Sequence, residues 1–313
     1  MMAAMPSPSP SPDTGASWPP LPVADWQDTR DTLHLWTQVV GKVRMARNPL
    51  VNHWWNVTLY VTSRGLTTGL IPGGPAQGFQ IDFDLLAHQL EISRADGERR
   101  LVALAPRSVA DFHAEVMARL DELDLATPVW PMPVEIAGAI PFTDDHEHAS
   151  YDAGAVEAFW RALVDIDRVF HRFRAGFVGK ASPVHFFWGA FDHAVTRFSG
   201  RTAPPHPGGA PNCGPHVMRE AYSHEVSSCG FWPGGSSEGT FYSYAYPEPP
   251  SFAEWDDLPT GASYSAELGE FVLPYETVRT ADDPDALLGD FLERTYVAAA
   301  ELGGWDRAAL ERR

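Results

Sequence analysis

Cysteine is scarce in this 313-residue chain, which carries only Cys213 and Cys229. A secreted protein held together by disulfides would carry more. With no CxxC, neither a zinc ribbon nor a thioredoxin-type redox site is expected. Basic residues are outnumbered, 23 Lys and Arg against 41 Asp and Glu, for a formal charge of −18. Such a surface repels phosphate backbones and anionic headgroups, which argues against nucleic acid and membrane as partners. No apolar run approaches the roughly 20 residues needed to span a bilayer. The opening MMAAMPSPSPSPDTGAS has neither a basic leader nor an apolar h-region, so no signal peptide is expected and the location is read as cytoplasmic. The GxGxxG turn after a strand, the GxxxxGK phosphate loop, HExxH and GxSxG are all missing.

What is present suits a folded core. Hydrophobic residues make up 44% and aromatics 12%, with eleven tryptophans. Some of these are expected to wall a groove or interface and the rest to fill the interior. Residues 1–17 alternate Ser and Pro and read as a disordered tail. Leu33, Trp36, Val39, Val40 and Val43 have helical spacing, which predicts a helix over 28–47. Residues 53–62 (HWWNVTLYVT) read as a strand, followed by strands near 66–71, 79–84, 89–93 and 100–104. Ser108 caps a helix over 108–123, with Asp111 at the capping-box position. A second long helix follows over 152–178, then strands near 183–188, 195–201, 241–246 and 270–273. A closing helix over 283–302 starts at Asp283-Pro284.

The order helix, antiparallel strands, helix therefore recurs. Gly179-Lys180 echoes Gly41-Lys42, residues 183–188 echo 49–55, and 195–201 echo 61–65. An internal duplication is inferred: an α+β fold of two related helix–sheet–helix lobes, 18–140 and 141–313, with sheets backed by helices.

The stretches VNHWWNVTLYVTSRGLTT (51–68), SPVHFFWGAFDHAVTRFSGR (182–201) and REAYSHEVSSCGFWPGG (219–235), with PMPVEI (131–136), HASYD (148–152) and YAYPEPP (244–250), resemble an uncharacterised bacterial family catalogued as domain of unknown function 5996. The resemblance covers nearly everything after residue 17. It implies a bacterial origin and one architecture over the whole chain, and it implies no reaction.

The chemistry is left to the residues. Six of the twelve histidines, His171, His185, His193, His206, His216 and His224, fall in the first part of the second half, and 200–235 reads as a long loop on a rigid scaffold. If 219–225 is helical, Glu220 and His224 share a face. With His185 and His206 they would supply the ligands of a divalent metal, zinc or iron, with an open position for water or substrate. The bland alternative is a His224–carboxylate contact that fixes the loop. His148 beside Asp152 offers a metal-free acid–base pair, against a solvated linker capped by Ser150 or Asp152. Arg64 and Arg201 end matching strands and could clamp an anionic group, or simply form salt bridges. Trp55, Trp188, Trp232 and Tyr244 would wall the cleft, and Tyr242, Tyr244 and Tyr246 share one strand face. Cys213 and Cys229 read as small buried residues.

The expectation is a small-molecule enzyme with its site at the lobe junction. Glu225 and Arg201 would act on the substrate, Arg64, Trp55, Trp188, Trp232 and Tyr244 would bind it, and His185, His206, His224 and Glu220 would hold the metal. The alternative is a non-catalytic metabolite-binding protein with an aromatic cleft. A homodimer is compatible with either.

Overall fold

The helix expected over 28–47 begins earlier, as α1 (Val23–Arg47), directly after Pro22. The computed structural model describes residues 17–74 and 78–312, so the expected Ser/Pro tail lies, apart from Ser17, outside the described residues. α1 is buried on nearly all sides, and the polar residues on it are engaged with backbone. Gln38 and Val134 exchange hydrogen bonds, Nε2 donating to the Val134 carbonyl and Oε1 accepting from its N–H, both 2.9 Å. Arg44 Nε donates to the Asn56 carbonyl at 2.9 Å and Nη1 to that of Thr68. A helix sunk this deep must satisfy such groups internally, and doing so ties α1 to the loop after it and to the segment before α3.

The strand expected over 53–62 is a correction. Residues Asn52–Trp54 form a 3-10 turn and β1 (Tyr60–Thr62) starts only at Tyr60. The Asn56 side chain accepts from the Val51 N–H at 3.1 Å, and its carbonyl is held by Arg44 and Asn48. These local bonds override the β propensity of the aromatic run. β2 (Gly65–Thr67), β3 (Phe79–Asp84), β4 (Gln89–Arg94) and β5 (Arg99–Ala103) complete a five-stranded antiparallel meander. α2 (Val109–Asp121) follows. The Ser108 hydroxyl accepts from the Asp111 N–H at 3.1 Å and donates to the Asp111 carboxylate at 2.7 Å, the capping box read from the sequence.

α3 (Ala153–Ala175) is capped by Asp152. Then come β6 (His185–Phe187), β7 (Asp192–Thr202), the short α4 (Pro215–Ala221), β8 (His224–Trp232), β9 (Thr240–Tyr246), β10 (Ser263–Ser265) and β11 (Glu270–Pro274). They are followed by α5 (Tyr275–Arg279), α6 (Pro284–Leu302) and α7 (Arg307–Leu310). The second sheet is six-stranded and antiparallel, in the order β10-β11-β9-β8-β7-β6. β8 corrects the expectation of a loop over 200–235. It is an interior strand of the sheet, paired on both sides. The loop-like composition there has a packing cause: an added Cβ at Gly230 would lie 2.3 Å from the Tyr242 hydroxyl, so the sheet needs a residue without a side chain at that point.

The two sheets touch through one antiparallel bridge. Leu59 and Phe186 exchange backbone hydrogen bonds of 2.8 Å. The halves thus share an order of elements, but the segments matched as repeats differ in form: 52–54 is a 3-10 turn, whereas 185–187 is a strand. Gly41 seats the Trp188 indole while Gly179 faces Phe177 and Leu310. A single apolar cluster joins Trp36, Phe83 and Phe112 of the first half to Phe170, Phe231 and Leu292 of the second. Among the described residues no helix is long and apolar enough to cross a membrane.

Candidate functional site

Side chains alternate across a strand, and the second sheet uses its two faces differently. Val195, Arg197, Cys229, Phe241, Phe271 and Leu273 are buried, on the face that α3 and α6 cover. The opposite face carries Ala194, Thr196 and Phe198 of β7, Val226 and Ser228 of β8, Tyr242 and Tyr244 of β9, and Glu270 and Val272 of β11. It floors a cavity of about 1160 Å³. α1, the turn at 53–55, residues 130–135 and the stretch 212–218 supply the remaining walls. The hollow therefore lies between the two halves.

Three carboxyl groups meet at one end. Asp192 begins β7, Glu270 begins β11 and Glu135 reaches in from the segment before α3. The Tyr242 hydroxyl donates to Asp192 Oδ2, and next to it the Tyr222 and Tyr244 hydroxyls are 2.8 Å apart. Glycine makes the room: a Cβ on Gly189 would lie 2.1 Å from Glu135 Oε1, as one on Gly230 would foul Tyr242. Burial pushes the Asp192 carboxyl up to about 6, although the Tyr242 hydrogen bond works the other way. Glu135 and Glu270 rise to about 7, by burial first and by the Asp192 charge second. The side chain of Glu135 is surrounded by protein yet open to the cavity. No cation offsets any of the three shifts.

α1 supplies the basic groups. The turns at positions 34, 38, 42 and 45 share one helical face, and His34, Lys42 and Met45 line the cavity. His34 Nε2 donates to the Gly189 carbonyl at 2.9 Å, its ring stacks on Phe191, and burial lowers its proton affinity to about 4. Lys42 is only 1% exposed. Its ammonium makes no hydrogen bond and sits 5.0 Å from the Trp130 ring centre, and burial lowers its pKa to about 8. On another wall His53 Nδ1 donates to the Ala221 carbonyl at 2.9 Å while Nε2 accepts from Lys180 Nζ at 2.7 Å. Those two partners fix a neutral imidazole. Burial, with Lys180 and His224 adding to it, pushes its proton affinity down.

Backbone strain gathers here too. His53, Trp54, Glu135, Phe191 and Asn212 all have φ between 53° and 62° and all line the cavity. Non-glycine residues adopt that conformation at a cost, and they do so preferentially where surrounding structure holds a site in place.

Of the residues expected from the sequence, Trp55, Trp188, Trp232 and Tyr244 line the cavity. Trp188 is mostly packing, with Nε1 donating to the Val57 carbonyl at 2.7 Å. The others lie elsewhere. Arg64 pairs with Asp84 at 2.7 Å. Arg201 Nε donates to Glu225 at 2.8 Å, and its other nitrogens donate to the Gly303 and Gly304 carbonyls at the end of α6. Glu225 also accepts from Ser199, so neither Arg201 nor Glu225 is turned toward the cavity. The expected metal set is not brought together. α4 ends at Ala221 and His224 opens β8, so Glu220 and His224 share no helical face. His185 has no exposure. Its ring packs edge-on to Phe187, and burial drives its proton affinity down to about 3. His206 stacks on Tyr222, and His224 lies beside His53 and hydrogen-bonds Ser223. Among the described residues no group of three or more His, Cys, Asp or Glu is placed to hold a metal ion. His148 pairs with Asp145 at 2.9 Å instead of Asp152, which is occupied as the cap of α3. Cys229 is buried, whereas Cys213 is half-buried at the cavity wall.

Glu135, Asp192, Glu270, His34 and Lys42 were not singled out from the sequence. A weak signal existed for two of them. Asp192 is a charge at the start of an alternating apolar run, and Lys42 interrupts the apolar face of a helix. The three carboxyls come from segments far apart in the chain, and only the sheet register makes them neighbours.

A protonation test follows. These carboxyls hold their protons more firmly folded than unfolded, so folding takes up protons between the ordinary carboxylate range and about 7. The stability they supply is complete below that range and falls as pH rises toward about 7. His34 and His185 work in the opposite sense, since acid must charge them on unfolding. Comparing a variant with the parent isolates one group. Glu270→Gln is expected to gain stability relative to the parent from about pH 5 to about pH 8, measured by urea denaturation. A difference between the two proteins that does not change with pH would contradict the assignment.

The architecture defines an α+β protein of two antiparallel sheets with a cavity of metabolite size between its halves. The chain belongs to the family described as a family of unknown function, DUF5996, whose model matches residues 18–312 and agrees with the resemblance carried by the sequence motifs. No curated protein and no solved structure matches it.

Proposed function

We propose that this protein converts a small molecule held in the cavity between its sheets, with Asp192, Glu135 and Glu270, next to Tyr242, passing protons to and from it. The observation that supports this reading is the carboxyl cluster: three acidic side chains share one recess without a cationic partner. Their proton affinities sit near neutrality, where a single group can both give and take a proton. A non-catalytic metabolite-binding role is the second reading. It is favoured by the aromatic walls, Trp55, Trp232 and Tyr244, and by exposed Trp130 and Leu268 at the rim.

Thermal-shift screening of a diverse metabolite set against the parent and Thr196→Trp tests the site. Thr196 is on the cavity floor and half-buried, so an indole there would occupy the space. A true ligand at about a hundred times its Kd stabilises the parent by ~2.7 kcal/mol and leaves the filled variant unmoved. If hits stabilise both proteins equally, or no compound stabilises the parent, the cavity is not the site. Mass spectrometry of the hits after incubation separates conversion from binding.

A further inference from the structure

The cavity is chemically lopsided. At one end are the Glu135, Asp192 and Glu270 carboxyls with tyrosine hydroxyls, and α1 brings Lys42 to another part of the wall. Lys42 is the more unusual feature. A buried ammonium is normally paired, because removing it from water is costly, yet its nitrogen has no hydrogen-bond partner. The nearest compensation is the face of Trp130, itself part of the wall. The carboxyl end presents the mirror problem, several acids with no cation. The opposite charges do not neutralise one another. The Cys213 thiol lies within electrostatic reach of both Glu135 and Lys42, whereas neither of those two acts measurably on the other. Each unsatisfied group is answered by a ligand carrying the complementary charge at the matching end. The aromatic surfaces in between, Trp55 and Tyr244 among them, suit an apolar middle and the flank of an ammonium group.

Resting on the reading that the cavity is a small-molecule site, we propose that its ligand is a zwitterion of amino-acid to dipeptide size, with an ammonium group seated among Glu135, Asp192 and Glu270 and an anionic group on Lys42. Ammonium binding favours the ionised carboxyls and so expels protons, while the anionic end fills the open coordination of the Lys42 ammonium. A diamine would satisfy only the acidic end, and a dicarboxylate only the lysine.

Isothermal titration of the full chain with ω-amino acids of increasing length, alongside the matching monoamines, monocarboxylates, diamines and neutral alcohols, tests this. The zwitterion of fitting length is expected to bind about ten-fold tighter than its matching amine or carboxylate, the worth of one charge-assisted contact. Its binding should release protons at neutral pH, seen as a dependence of the heat on buffer ionisation enthalpy. Lys42→Met should bring its affinity down to that of the amine, and Glu135→Gln with Glu270→Gln to that of the carboxylate. Lys42→Met removes a buried unpaired charge for a side chain of similar length, so it is expected to fold at least as well as the parent. The proposal is overturned if Lys42→Met leaves zwitterion affinity unchanged, or if diamines bind tightest. Neutral alcohols binding as well as zwitterions would overturn it while leaving the cavity as a small-molecule site. No binding by any probe would remove both.

Discussion

Gly230→Ala is expected to cost about 3 kcal/mol of stability, at the upper end for overpacking a folded core, and to dismantle the floor of the cavity. An added methyl would stand 2.3 Å from the Tyr242 hydroxyl, 2.5 Å from its Cζ and 2.7 Å from the backbone carbonyl of His193. The tyrosine could swing away, but the carbonyl belongs to the adjacent β7 and can move only with the strand. Displacing Tyr242 also removes the donor that stabilises the Asp192 carboxylate. The variant should therefore lose ligand response even where it remains folded. Tyr242→Phe provides the control, deleting the hydroxyl without any clash. It should destabilise less and leave the Gly230→Ala penalty only partly relieved when the two are combined, because the ring carbon and the carbonyl remain in the way. Urea denaturation of the four proteins measures this. A Gly230→Ala cost below about 1 kcal/mol would mean the strand spacing is softer than the geometry implies.

Arg197→Ala has the second large effect, on the other face of the same sheet. Arg197 is 1% exposed, one of the most deeply buried charges in the protein. Its guanidinium lies 3.4 Å from the Phe173 ring centre and 4.3 Å from that of Tyr296. It donates to the Phe173 carbonyl at the end of α3 and to both Glu293 oxygens on α6, at 3.2 Å and 3.0 Å. One side chain thus clamps β7 to both covering helices. Truncation leaves a cavity, orphans a carbonyl and strips two aromatic faces of their cation, together about 3–5 kcal/mol. Glu293 is half exposed and regains water, so its stranded charge adds little. Arg197→Met should cost much less, within about 1.5 kcal/mol, because volume is kept and an apolar chain suits the aromatic slot. Equal losses in the two variants, compared by denaturant midpoint, would show that charge and not volume holds the layer together.

Local signals in the chain were legible where a few neighbouring residues decide the outcome. The capping box at Ser108 and Asp111, the Asp283-Pro284 start of α6 and the alternation of β3 are set within a turn or a strand, and all appear as expected. Failures came where distant residues outvote local propensity. The aromatic run at 53–55 became a strained turn because Arg44 and Asn56 hold its backbone. The Gly-rich 224–232 became an interior strand because its neighbours on both sides supply the ladder and the bulk. The candidate site divided along the same line. Trp55, Trp232 and Tyr244 reached the cavity, as aromatic strand and turn residues between two apolar layers tend to do. The histidines did not, because an imidazole goes where its strand face points, and His185 points into the core.

By itself the sequence determined the family, the mixed helix and antiparallel-strand content, and most helix starts. Those depend on periodicity, caps and motifs within short windows. Only the tertiary structure decided that Glu135, Asp192 and Glu270 share one recess, that Lys42 is left without a partner, and that Arg64, Arg201 and Glu225 are spent on ion pairs. Each of these follows from strand register and helix placement, which bring together side chains from remote parts of the chain.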